Sequence, residues 1–135
     1  MGIFTDLEAE YDIEIVEEFF SHFSFMLESL ETLVIGLEKE ELYSNNIGEI
    51  FRIFHNIKSS TGYLKLTPIN KIVALGEEVL DECRHLEGSA SDELINWLLL
   101  LSDQLQLYKK DLEEDQDELS ATDHNIIKIP TKYLK

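Results

Sequence analysis

The sequence holds four histidines, and one of them stands where it could do chemistry. The local run is Phe51-Arg52-Ile53-Phe54-His55-Asn56-Ile57-Lys58-Ser59-Ser60-Thr61-Gly62-Tyr63-Leu64. On a helix, His55 is rotated about 100° from Phe54, a core position, so its imidazole lies beside the buried face and near solvent. Lys58 at i+3 and Ser59 at i+4 share its side, Arg52 lies at i−3, and Gly62 is two turns along. The small residues Ser59, Ser60 and Gly62 keep bulk away from the ring. A glycine inside a helix costs about 1 kcal/mol relative to alanine, and close approach by another molecule is one reason to keep it. A nucleophilic imidazole with an open approach, one cation in Lys58 and a second in Arg52 suits a phosphoryl group. His22, His85 in the last turn of a predicted helix, and His124 near the C-terminus read as ordinary surface or capping residues.

The elements that must position His55 are helices. From Asp12 to Lys39 the apolar residues Ile13, Val16, Phe20, Phe23, Leu27, Leu30, Val34 and Leu37 step by three and four, one helical stripe. Tyr43-Ser44-Asn45-Asn46 reads as a polar loop. A second helix spans about Ile47 to Leu64, with the stripe Ile47, Ile50, Phe54, Ile57 and Thr61. Thr67 as N-cap and Pro68 at the first helical position open a third, with the stripe Ile69, Ile72, Val73, Gly76, Val79, Leu80 and Cys83; Glu87-Gly88-Ser89 closes it. Ser91 or Asp92 caps a fourth, which repeats the pattern at Leu94, Leu98, Leu101, Leu105, Tyr108 and Leu112. Trp97 to Leu101 alone would pass for a buried strand, but the longer period decides for helix. Four amphipathic helices with short connections predict an all-α, antiparallel four-helix bundle. Ile3, Phe4, Leu7 and Tyr11 predict a short N-terminal helical turn. The periodicity stops after Glu118, so the expected domain is 1–118, and 119–135 is expected to be an irregular tail or linker.

Composition excludes several functions. The chain has 135 residues, enough for one domain with a real core, and 28 acidic against 11 basic residues give a net charge of −17. That charge repels nucleic acid and anionic membrane surfaces. No apolar run is long enough to span a bilayer, and Met1–Glu10 lacks the basic start of a signal peptide. Cys83 is the only cysteine, so no internal disulfide forms. These features predict a cytoplasmic protein. No Gly-rich phosphate loop, no zinc-ligand spacing and no Ser-His-Asp arrangement is present, so neither cofactor nor metal is expected.

The run from His55 to Leu64 resembles the motif of the histidine-containing phosphotransfer (HPt) family, His-x-x-Lys-Gly followed by small residues and an aliphatic or aromatic position. Ile50-Phe51-Arg52 resembles its lead-in, and Leu75-Gly76-Glu77-Glu78-Val79-Leu80-Asp81 resembles its following helix. The likeness covers about Asp12 to Leu112, and within the family it is nearest to the N-terminal phosphotransfer domain of chemotaxis histidine kinases. The resemblance implies a carrier without catalysis of its own, or a kinase's phosphoacceptor domain. His55 would take a phosphoryl group from a histidine kinase catalytic domain or a response-regulator receiver domain and pass it on. Lys58 would steady the phosphoryl charge, and Glu77 would hold the other ring nitrogen. Phe51, Arg52, Ser59 and Gly62 would face the partner, and the module would be a monomer.

Two departures stand out. Ser59 replaces the family's usual glycine after the lysine, and Ala74 stands where the chemotaxis branch often has a second histidine. Ile127 to Leu134 resembles the approach to the chemotaxis kinase's dimerisation region, which fits a chance likeness, a piece of a longer protein, or a free-standing carrier that retains the segment. Two other readings fit the sequence. One is an HPt-like adaptor that binds a receiver or kinase without accepting phosphate. The other is a bundle that uses its acidic faces for metal binding or self-association.

Overall fold

The computed structural model describes residues 2–135. Five α-helices follow in order: α1 (Ile3–Glu10), α2 (Ile13–Gly36), α3 (Glu40–Tyr63), α4 (Thr67–Cys83) and α5 (Asp92–Glu113). Helices α2 to α5 form the antiparallel bundle, and α1 lies against α2 and α5. The predicted N-terminal turn is thus a full helix of 8 residues. Its Thr5 amide donates to Asp115 Oδ1 at 2.9 Å, just beyond the end of α5. Thr5 holds the Asp115 carboxyl below its ordinary range.

Local chemistry accounts for the starts of α2, α3 and α5. Asp12 caps α2 by accepting from the Glu14 amide at 2.8 Å. Ser91 caps α5 by accepting from the Leu94 amide at 3.0 Å. Glu40 and Glu41 place negative charge in the first turn of α3, where the helix dipole favours it. Helix α4 differs from expectation: Thr67 is its first helical residue, Leu66 is the cap without a side-chain bond, and the helix stops at Cys83. His85 therefore lies in the turn beyond it, outside the last helical turn.

The expected loop at Tyr43–Asn46 is helical, and the chain reverses earlier, at residues 37–39. Tertiary bonds override the local preference. The Tyr43 hydroxyl donates to the Cys83 carbonyl at 3.0 Å, and the Asn46 amide donates to the Leu33 carbonyl at 3.0 Å. A Cβ at Gly36 would come within 2.5 Å of Asn46 Nδ2, so the glycine makes room for that bond.

The stripes predicted for α3, α4 and α5 are all buried. On α2 two positions differ. Ile13 is 53% exposed, and Phe19 is buried in place of Phe20. Phe20 packs edge-on against Phe4 of α1, with ring centroids 5.6 Å apart.

Residues beyond α5 carry one short 3-10 turn, His124–Ile127, and lie back along the helix. Trp97, Gln104 and Asp111 of α5 bind this segment. Asp111 accepts from the Ser120 amide at 2.7 Å. Gln104 donates to the Ala121 carbonyl at 3.2 Å and accepts from the Asp123 amide at 3.0 Å. The Trp97 indole donates to the Ile126 carbonyl at 2.9 Å, and Ile126 is buried. Ala90 and Leu134 form an isolated antiparallel bridge. Among the described residues no helix is long and apolar enough to cross a membrane.

Burial raises the Cys83 thiol to about 11 and leaves no exposed surface on it. Thiolate is the reactive form. Iodoacetamide at pH 8 is therefore expected to leave Cys83 unmodified in the folded protein and to label it fully in denaturant; mass spectrometry reads the difference. Labelling of the native protein at the rate of a free thiol would contradict the packing.

Candidate functional site

α3 carries His55 and Lys58, and antiparallel α4 carries Glu77 opposite them. The two helices are joined by only Leu64–Leu66, which keeps them in register. Their close approach depends on Gly76. A Cβ there would lie 2.6 Å from Phe54 Cε2 and 3.2 Å from Leu101 Cδ1. Phe54 is fully buried and immediately precedes His55. Asn70 adds a second tie, donating through Nδ2 to the Lys58 carbonyl at 2.8 Å.

The result is a three-residue cluster. His55 Nδ1 stands 3.2 Å from Glu77 Oε1, and Lys58 Nζ stands 3.5 Å from Glu77 Oε2. The His55 side chain is 60% exposed, while that of Glu77 is only 16% exposed. A mostly buried carboxylate thus holds one edge of a mostly exposed ring. With the proton on Nδ1, the ring donates to Glu77, and the Nε2 lone pair is left on the opposite side. Glu77 Oε2 has no hydrogen-bond partner of good geometry. Lys58 supplies its nearest cation.

The other residues singled out in the sequence fall around this cluster unevenly. Phe51 stacks near-parallel with His55, at 8° and 6.3 Å between centroids. Ser59 lines an open groove of about 580 Å³ between α2 and α3, together with Phe19, His22, Met26 and Tyr63. Arg52 does not join His55: its guanidinium pairs with Glu49 at 2.8 Å. It lines the neighbouring groove with His22 and Phe25. Gly62 is helical and exposed, and a Cβ there would meet only the Asn70 amide, at 3.4 Å. Its side of the helix is open, but no packing demands a glycine there.

Gly76 and Asn70 frame the site without having been read as site residues. Gly76 was legible only as a core position of α4, and Asn70 carried no signal before its partner on α3 was known. Among the described residues no three His, Cys, Asp or Glu side chains converge as metal ligands. His22 lines the two grooves beside α3, His85 lies in the turn after α4, and His124 opens the 3-10 turn.

The family model of the Hpt domain matches residues 14–122, most of the chain. The chain belongs to the Hpt domain family. It is therefore a histidine phosphorelay module of two-component signalling. It is similar to the chemotaxis protein CheA of Salmonella typhimurium, 29% identical over 103 residues, which cover 73% of this chain and 15% of that protein. The chemotaxis protein CheA of Borreliella burgdorferi is 30% identical over 94 residues, 70% of this chain and 10% of that protein. The chain thus spans a small part of the curated relatives it matches. No solved structure gives a significant match.

Proposed function

We propose that His55 is the phosphoacceptor of this Hpt domain, with Glu77 orienting the ring and Lys58 stabilising the phosphoryl charge. One observation carries the reading: the bond of 3.2 Å between Nδ1 and a largely buried carboxylate, with Lys58 beside it. The partners are a histidine kinase catalytic domain and a response-regulator receiver domain, encountered in the cytoplasm by a monomer. The acting unit is residues 1–118, and residues 119–135 are a tail strapped along α5. Ser59, Gly62, Arg52 and Phe51 border the approach to the ring.

The mechanism follows from the ring's two edges. The lone pair of Nε2 attacks the phosphorus of a phosphoryl donor, either the kinase-bound ATP γ-phosphate or the receiver's aspartyl phosphate. The P–O bond to the leaving ADP or aspartate carboxylate breaks, and its electron pair departs with that oxygen. The proton on Nδ1 stays, so the ring becomes cationic as the N–P bond forms. The Glu77 carboxylate lies against the edge where that charge appears. Lys58 turns from Glu77 to the phosphoryl oxygens, which carry the negative charge. In the onward step an aspartate oxygen attacks phosphorus, and the N–P electron pair returns to Nε2. Positioning and charge supply the protein's share, because the bond being made needs a lone pair in line.

The test is incubation with a chemotaxis-type kinase core and ATP, or with phosphorylated receiver domains. The wild type is expected to take up acid-labile, alkali-stable label, and His55→Gln none. Equal labelling of His55→Gln would overturn the assignment. Receiver binding without any label from these donors would make the domain an adaptor.

A further inference from the structure

Phe51 is a large, half-buried apolar residue at the rim of the bundle, and two side chains lie against its ring. On one side it stacks near-parallel to His55. Over its ring lies the guanidinium of Arg84, with Cζ 4.1 Å from the centroid. The two neighbours come from opposite directions along the bundle. From His55 to Phe51 α3 descends four residues, about 6 Å. From Glu77, opposite His55, α4 descends seven residues to Arg84, about 10.5 Å. Arg84 therefore reaches Phe51 from beyond it, away from His55.

Arg84 is itself well anchored. It is the C-cap residue of α4, with its backbone amide bonded to the Leu80 carbonyl at 2.9 Å. A cation there complements the helix dipole. Its Nη2 pairs with Asp81 Oδ1 at 3.2 Å, one turn back on the same helix. The planar guanidinium is thus aimed across the helix boundary at the Phe51 face, the geometry in which a cation and an aromatic ring attract.

We propose that Arg84 is a positioning residue for phosphoryl transfer, acting through Phe51 on the His55 ring. This rests on the reading of His55 as phosphoacceptor. Glu77 fixes one edge of the imidazole, but a single bond leaves the ring free to swing about it. Phe51 limits that swing on one side, and Arg84 holds Phe51 in the orientation that does so. Ring rotation turns Nε2 out of line with an incoming phosphorus, and misplacement on this scale slows transfer steeply.

The experiment uses phosphoramidate, a small donor that needs no docking surface. Its phosphoryl group passes to Nε2 and ammonia leaves. Arg84→Ala and Phe51→Leu are expected to slow labelling of His55 about three- to ten-fold, with melting curves unchanged. Arg84→Lys is expected to recover part of the rate, since it keeps the cation but not the planar guanidinium. In ¹⁵N spectra of the unphosphorylated protein the His55 ring signals are expected to move toward a mixture of tautomers in both slow variants. Unchanged ring signals and an unchanged phosphoramidate rate would overturn the proposal. So would slowing confined to a phosphorylated receiver as donor, which would make Arg84 a docking residue. The ring signals do not depend on phosphorylation. If wild-type His55 took no label while Arg84→Ala still moved them, the phosphoacceptor reading would fall and the positioning would stand.

Discussion

Gly76→Val is expected to lower stability by about 3 kcal/mol, the upper range for overpacking a full core. For a chain of this size that is a fall in melting temperature of roughly 10 °C. The cause is specific. Even the first added carbon would lie 2.6 Å from Phe54 and 3.2 Å from Leu101, both fully or almost fully buried. Neither side chain has free volume to move into, so α4 must shift away from α3. Valine's gain in helix propensity over glycine, a few tenths of a kcal/mol, does not offset this. Glu77 is the next residue and moves with the backbone, so its 3.2 Å contact with His55 is expected to be lost as well. Thermal melts by circular dichroism check the first effect, and the His55 ring signals in ¹⁵N spectra the second. A wild-type melting temperature would show that the contact of α3 with α4 is looser than the structure has it.

Glu77→Ala is expected to slow phosphorylation of His55 about 100-fold, the penalty for a reacting group misplaced by about an ångström. The fold should survive, because Glu77 sits at the edge of the core, with its side chain 16% exposed. Two losses combine. The imidazole no longer has a partner that selects the Nδ1–H tautomer, so part of the population carries its proton on the attacking nitrogen. The carboxylate that faces the growing ring cation is also gone. Glu77→Gln separates them. Its amide oxygen can still accept from Nδ1–H, so it keeps orientation but loses charge, and it is expected to fall between wild type and alanine. Initial rates with phosphoramidate measure both. Rates within two-fold of wild type for Glu77→Ala would leave the carboxylate with no part in the transfer.

The bundle was legible because its helices are strongly periodic. The stripe of α4 was read residue for residue, down to Gly76 and Cys83, since a narrow apolar face allows one orientation only. The boundary between α2 and α3 is not legible locally, because Tyr43 and Asn46 look like loop residues. Their polar atoms bind Cys83 and Leu33 across the bundle, which no local pattern reveals. The packing of the C-terminal segment is hidden for the same reason. Trp97, Gln104 and Asp111 were visible on α5, but the carbonyls and amides they bind are backbone groups with no sequence signature. At the site, helical spacing joined His55 to Lys58, and family resemblance joined them to Glu77. What spacing within one helix could not give was the partner from another. Arg84 on Phe51, Asn70 on Lys58 and the steric role of Gly76 all cross from α4 to α3.

In the proposed function a phosphoryl group is carried on Nε2 of His55 while Nδ1 faces Glu77. The most direct measurement is phosphorus–nitrogen coupling in the ¹⁵N-labelled, phosphorylated domain. The expected result is one phosphohistidine, at His55, with coupling to Nε2 and with the Nδ1 proton retained. Phosphate on Nδ1, or on His22, His85 or His124, would contradict the account, as would a domain that takes no phosphate from any of the three donors.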